Sequence, residues 1–480
     1  MKKLLGLVLV LVALILGSYF VTGYITECTL KKNIALISPS NGLAVNIEQY
    51  HRGWFRSKAL LDMSLHIPAR TVTNQDGQTT TFNEQDFKIQ VPIDIYHGPV
   101  MVVDSKPLFG LGYAHSHVKL PETYAEKFTQ NYTAESISPS LNMTLFVNYL
   151  NKSSLGLEMP AFKLVSKQSN ATFEWLGMTD QSSISSDRNH VGGRAMIDGL
   201  NFLKDKMNLV LGKVTSNYNL HTTNMNLYLG EADLLISSLV IKEGTEVTLD
   251  AQELTIHSTN DVVDGLFNSQ LSVKLDKLLT DGKFYGPVSF DMSLKNIDAV
   301  VLSKINEQAN NMQQGTDAER HQVLMSLIPQ LPKLLSKGTT LEVSSLNIGM
   351  QDGVVKGNML VSLPANNLDN PFQLIQKVKG HGKLEISVAV LKRLIADSAK
   401  QALQAQASAG QTTPADATAP VEPPKDLEQL ATNQADEKIE ALVKSGLLIN
   451  HDSDYVVELE LTDGQLLVNG KPFNQAMLQY

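Results

Sequence analysis

A chain of 480 residues with one cysteine, Cys28, forms no intramolecular disulfide and no cysteine-based zinc site. Its 40 Lys and Arg against 49 Asp and Glu leave a net charge of -9 with no basic block, so phosphates find no cationic stripe and nucleic acid is excluded as a partner. The length suffices for a sizeable core and for more than one domain.

Lys2 and Lys3 lead into LLGLVLVLVALILGSYFVTGY, residues 4–24, which carries no charge. About 20 residues in a helix cross the hydrocarbon layer of a bilayer. The sequence therefore predicts a transmembrane anchor within residues 1–25, with the lysines cytoplasmic and the chain after Tyr24 exported. A cleaved signal peptide would have a shorter apolar region, about 7–15 residues, ending in small residues. Ser18-Tyr19-Phe20 and Gly23-Tyr24-Ile25 match that poorly, and no small residues precede Cys28 to suggest a lipoprotein. The expectation is a single-pass membrane protein with the bulk of its chain extracytoplasmic, which in a two-membrane bacterium means the inner membrane and the periplasm.

Residues 49–65, QYHRGWFRSKALLDMSL, set His51, Arg52, Trp54, Phe55 and Arg56 around Gly53 before an alternating strand. Two readings compete. In the favoured one, Gly53 permits a bend that lays Trp54 and Phe55 against the first sheet layer, while Arg52 and Arg56 meet solvent or carboxylates. In the other, Trp54, Arg52 and Arg56 meet lipid headgroups.

From 26 to 297 the chain reads as β. Alternation is clear over 58–67, 87–98, 141–150, 207–230, 246–258, 269–279 and 285–297, and period-two alternation signifies antiparallel sheet with one buried and one polar face. Helical spacing then appears at 298–313 and 318–336, where Pro329 and Pro332 bend or end the second helix. A strand near Leu384–Val390 leads into a third helix over 389–405, and 427–444 reads as a fourth. Residues 407–426, rich in Ala, Pro and Thr, read as a flexible linker.

Residues 331–363 and 439–473 share an order of helix end, strand, Asp-Gly and strand, with Asp352-Gly353 and Asp463-Gly464 as hairpin turns. Either a duplicated helix-plus-hairpin module or a coincidence of common elements explains this. The expected fold is mainly β with helices (α+β): an anchor at 1–25, an elongated antiparallel sheet over 26–297, helices plus a hairpin unit over 298–406, the linker at 407–426, and a helix plus hairpin unit over 427–480.

Chemistry is hard to place on this chain. His115-x-His117 share one side of a strand, but nothing nearby completes a metal set. There is no G-x-S-x-G elbow, phosphate-binding glycine loop or H-E-x-x-H helix. No catalytic, cofactor-binding or metal-ligating residues are assigned, no cofactor is expected, and the chain reads as non-enzymatic.

The segment Tyr50-His51-Arg52-Gly53-Trp54-Phe55-Arg56-Ser57, followed by His97-Gly98-Pro99 and a late hairpin at Leu459–Val468, resembles the YdgA-like family of bacterial proteins over essentially the full length. Val100 after the His-Gly-Pro element fits that family's apolar option. The resemblance implies an anchored periplasmic protein of uncharacterised function and carries over no site residues. A looser similarity to AsmA-type envelope proteins implies an apolar sheet face that shelters or guides lipid chains. The leading functional expectation is thus a non-enzymatic, inner-membrane-anchored protein binding or guiding a lipid or other apolar ligand in envelope maintenance. The rival is a structural or protein-interaction module of the envelope, with another envelope protein as partner.

Overall fold

The computed structural model describes residues 2–36, 43–67, 69–73, 79–312, 325–365, 376–409 and 427–474. The chain is mainly β with helices and divides into two compact units, Met1–Glu246 with Ser303–Ser326, and Val247–Leu302 with Leu327–Tyr480. Residues 318–324 of the second expected helix and 410–426 of the expected linker lie outside the described residues.

The N-terminal expectation is corrected. Among the described residues no helix is long and apolar enough to cross a membrane, so the predicted span, the inner-membrane anchor and the single-pass localisation built on it are not upheld. Helix α1 (Lys2–Leu36) runs well past Tyr24 and takes in Glu27, Lys31 and Lys32. From Tyr19 onward it is engaged by the sheet. Its Ile34 forms a hydrophobic cluster with Leu61 and Val91, against which Leu30, Val45, Ile47 and Met143 pack. Burying one such isoleucine is worth about 1.5–3 kcal/mol.

In the first unit, β1 (Leu43–Arg52), β2 (Arg56–Ile67), β3 (Gln85–His97), β4 (Gly112–Lys119) and β5 (Ser140–Val147) pair in that order, all antiparallel. The ladder continues through Ser153–Met159, Met178–Ile184, His190–Ile197 and Val214–Thr222 to Tyr228–Glu243. Register puts like with like. Ala59, Leu61 and Met63 lie beside Ile93, Val91 and Ile89, and Leu145 and Met143 beside Leu155 and Leu157. The opposite face carries Lys58, Asp94, His115 and Asn217.

A polar trio interrupts the apolar face. Asp180 and Ser182 share it with Leu157 and Leu155. Ser182 Oγ donates to Asp180 Oδ2 at 2.5 Å and meets the Tyr218 hydroxyl at 2.6 Å, and that hydroxyl donates to Asp180 Oδ1 at 3.3 Å. Gly193 leaves the room: a Cβ there would lie 2.6 Å from the Tyr218 hydroxyl. The trio satisfies its own hydrogen bonds, as a polar group on an apolar face must.

The second unit repeats the scheme with longer strands. Glu246–Val263, Leu266–Thr280, Lys283–Asp298, Thr340–Met350, Gly353–Ser362, Lys379–Ser387 and Asp454–Thr462 follow one another antiparallel. One face runs Ile256, Val273, Phe290, Leu346, Gly357, Leu384 and Val457 across the ladder. Helices Val388–Ala409 and Leu427–Ser445 pack on each other. Val390, Ala431, Ala435 and Ile439 are buried there, and Lys392 pairs with Asp436 at 2.7 Å.

The two Asp-Gly pairs differ in use. Thr462 pairs with Gln465, so Asp463 (φ 49°) and Gly464 (φ 75°) are the two turn residues, both left-handed as a tight hairpin favours. Met350 pairs instead with Gly353, so the first turn is Gln351-Asp352 and Gly353 begins the next strand. Glycine is needed at 353 for another reason. Its φ is +146°, and a Cβ would meet Ser387 Cβ at 2.5 Å.

Candidate functional site

The sequence motif and the His-Gly-Pro element converge on one feature, the seat of α1. Arg52 ends β1 and Arg56 opens β2; between them Gly53 N donates to Arg56 O at 3.0 Å, and a Cβ on Gly53 would lie 2.3 Å from that carbonyl. This tight turn projects Trp54 and Phe55 away from the strands. Phe55 meets Tyr19 edge to face with centroids 4.8 Å apart, and Trp54 meets Phe20 at 5.8 Å. The expectation that they lie against the sheet is corrected: their partners are on the helix, and both stay about half-exposed.

The arginines fare as the favoured reading had it. Arg52 Nη1 lies 3.3 Å from Glu27 Oε2, and its guanidinium sits over the rings of Phe20 and Tyr24 at 5.2 and 5.6 Å. Glu27 also binds Lys31 at 2.7 Å. Arg56 covers the Tyr96 ring at 4.5 Å. Cation-ring and ion-pair contacts of this partly exposed kind contribute about 0.2–1 kcal/mol each.

Beneath the helix lies a buried polar pair. Ser57 Oγ and His97 Nε2 are 3.0 Å apart, with the residues 1 % and 0 % exposed. His97 Nδ1 is buried with no hydrogen-bond partner of normal geometry. Burial pushes the imidazole below its ordinary value, the Tyr19 backbone opposes the shift, and the Arg52 cation adds to it. Gly23 of α1 rests on this ring: a Cβ there would lie 2.6 Å from Cε1 and 3.0 Å from Nδ1. Gly98 makes the reciprocal approach. Its φ is +121°, and a Cβ would fall 2.0 Å from the Tyr19 ring. The Tyr19 hydroxyl donates to the Val100 carbonyl, and that of Tyr149 to the Pro99 carbonyl.

The other singled-out residues stay apart. His51 is exposed, His115 Nε2 lies 3.8 Å from Asp94, His117 bonds Asn142, and Cys28 is exposed on α1. Among the described residues no group of three or more His, Cys, Asp or Glu could hold a metal. Sequence reasoning missed Tyr19, Gly23 and Glu27. The signal for Gly23 was available, since a glycine inside a helix costs about 1 kcal/mol and calls for a close approach.

A family model described as "Bacterial protein of unknown function (DUF945)" matches residues 1–476. The chain belongs to this family. Protein YdgA of Escherichia coli (strain K12) is 22% identical over 400 residues, covering 78% of this chain and 77% of the relative. No solved structure matches. Neither description assigns a reaction.

Proposed function

We propose that the chain is a structural, protein-interaction module of the bacterial cell envelope. The observation that carries this reading is the use already made of the apolar sheet face: it receives a helix, α1, through Ile34, Leu61 and Val91. The same face continues beyond that seat, and Leu145 remains 38% exposed on it. On the corresponding face of the second unit, Met359, Leu459 and Leu466 are similarly exposed. A face that takes up an amphipathic protein segment follows the helix-in-groove mode of recognition. The envelope setting rests on the family resemblance alone. The lipid-carrier reading is set aside, because it joined the alternating strands to a membrane anchor and no helix long and apolar enough to cross a membrane is found among the described residues.

The test is photo-crosslinking in cells with benzoylphenylalanine at Leu145 and Leu459, and at Asn217 and Lys356 on the polar faces as controls. A protein adduct of discrete mass confined to the apolar positions is expected. Lipid-mass adducts, or no difference from the controls, would overturn the reading.

A further inference from the structure

We propose that the seat of α1 is a proton-sensitive latch, in which a proton on His97 releases the helix and uncovers the apolar strand residues beneath it. This goes beyond the proposed function, since it concerns when the face is free and not what binds it.

The geometry confines the imidazole from every side. From α1, Gly23 approaches so closely that a Cβ there would lie 2.6 Å from Cε1, and the Tyr19 backbone is the one neighbour that favours a proton on the ring. From β2, Ser57 Oγ takes up Nε2, and from the turn before it the Phe55 carbonyl accepts the His97 backbone N–H at 3.3 Å. From β1, Arg52 already supplies a positive charge toward the ring. The other titratable groups of the seat are the Tyr19 and Tyr50 hydroxyls and the Glu27 carboxylate. Tyr19 donates to Val100, burial pushes the Tyr50 hydroxyl up so that it stays neutral, and Glu27 is taken by Arg52 and Lys31, so none neutralises an imidazolium. A charged His97 is therefore fully buried without a counter-ion, and the state that opens the ring to solvent is the one with α1 lifted away.

The direction of the effect follows from linkage. The imidazole holds its proton less well with α1 seated than with α1 released. Seating is thus fully favoured above the ordinary imidazole value of about 6.5. It weakens as pH falls from there toward the lowered value in the seated state, by up to about tenfold in the seated-to-released ratio per pH unit, and is constant below that value.

Cys28 is the chain's single cysteine and is exposed on α1, so a nitroxide attached to it in the full chain reports helix mobility by electron paramagnetic resonance. Titration from pH 8 to pH 5 is expected to raise the mobile component, with its onset near 6.5. In His97→Asn, which keeps a hydrogen-bonding side chain but cannot titrate, the mobile fraction is expected to be independent of pH. A flat wild-type titration overturns the latch, whether or not the variant folds. An unchanged titration in a folded His97→Asn assigns the response to another group and overturns it equally.

Discussion

Replacing Gly23 with alanine separates two physical effects of opposite sign. In a helix interior, alanine is favoured over glycine by about 1 kcal/mol. Against this, the new Cβ at 23 would sit 2.6, 3.0 and 3.1 Å from three atoms of the His97 ring. That ring cannot move aside cheaply, because it is fully buried and held at 3.0 Å by Ser57. Overpacking of this sort costs about 1–3 kcal/mol, and three close atoms on a fixed ring place it in the upper part of that range. The expected balance is a loss of about 1–2 kcal/mol in the seating of α1. Gly17 supplies the control, since a Cβ there meets nothing within 4 Å, and Gly17→Ala should show the propensity gain alone. Hydrogen exchange of residues 19–36, read by mass spectrometry, should speed up about 5- to 30-fold in Gly23→Ala and slow in Gly17→Ala. Slower exchange in both variants would refute the close approach of Gly23 to His97.

Other substitutions probe the same seat and the second unit. Gly98→Ala combines a φ that L-residues avoid with a 2.0 Å approach to Tyr19, and should unseat α1 more completely than Gly23→Ala, by more than about 3 kcal/mol in the same exchange measurement. Adding Tyr19→Ala should recover only the steric part. Arg52→Ala removes the Glu27 ion pair and two ring contacts; a loss of about 1 kcal/mol is expected at low salt, and the ion-pair share should shrink at 1 M salt. Gly353→Ala drives a methyl into Ser387 and toward Val390. Exchange should rise at the start of helix Val388–Ala409, whereas Gly353 acting as a mere turn residue would leave that helix unchanged. Gly464→Val, at a turn φ of +75°, should loosen the Asp454–Val468 hairpin by about 1–2 kcal/mol and leave the rest of the second unit's exchange intact.

Much of the architecture was legible as periodicity. A strand has only two faces, so alternation such as Leu61-x-Met63-x-Leu65 states at once that a sheet is present and which residues share its apolar side. The helices near 299, 388 and 427 were legible for the corresponding reason, apolar residues at 3.6 spacing. Less visible were short strands such as His190–Ile197, where Gly192 and Gly193 mute the alternation.

The sequence by itself thus determined that the chain is antiparallel β with a late helical part, that it carries no G-x-S-x-G, phosphate-loop or H-E-x-x-H motif, and that Tyr50–Ser57 and His97–Pro99 are marked segments. What covers an apolar residue is a different kind of fact. Tyr19, Phe20 and Tyr24 suit a bilayer and a protein surface equally well, because burial of apolar area is non-directional. Only the tertiary structure set them on Phe55, Trp54 and Arg52. It also brought Gly23, Ser57 and His97 together from three separate elements, a contact for which no local spacing in the chain could stand.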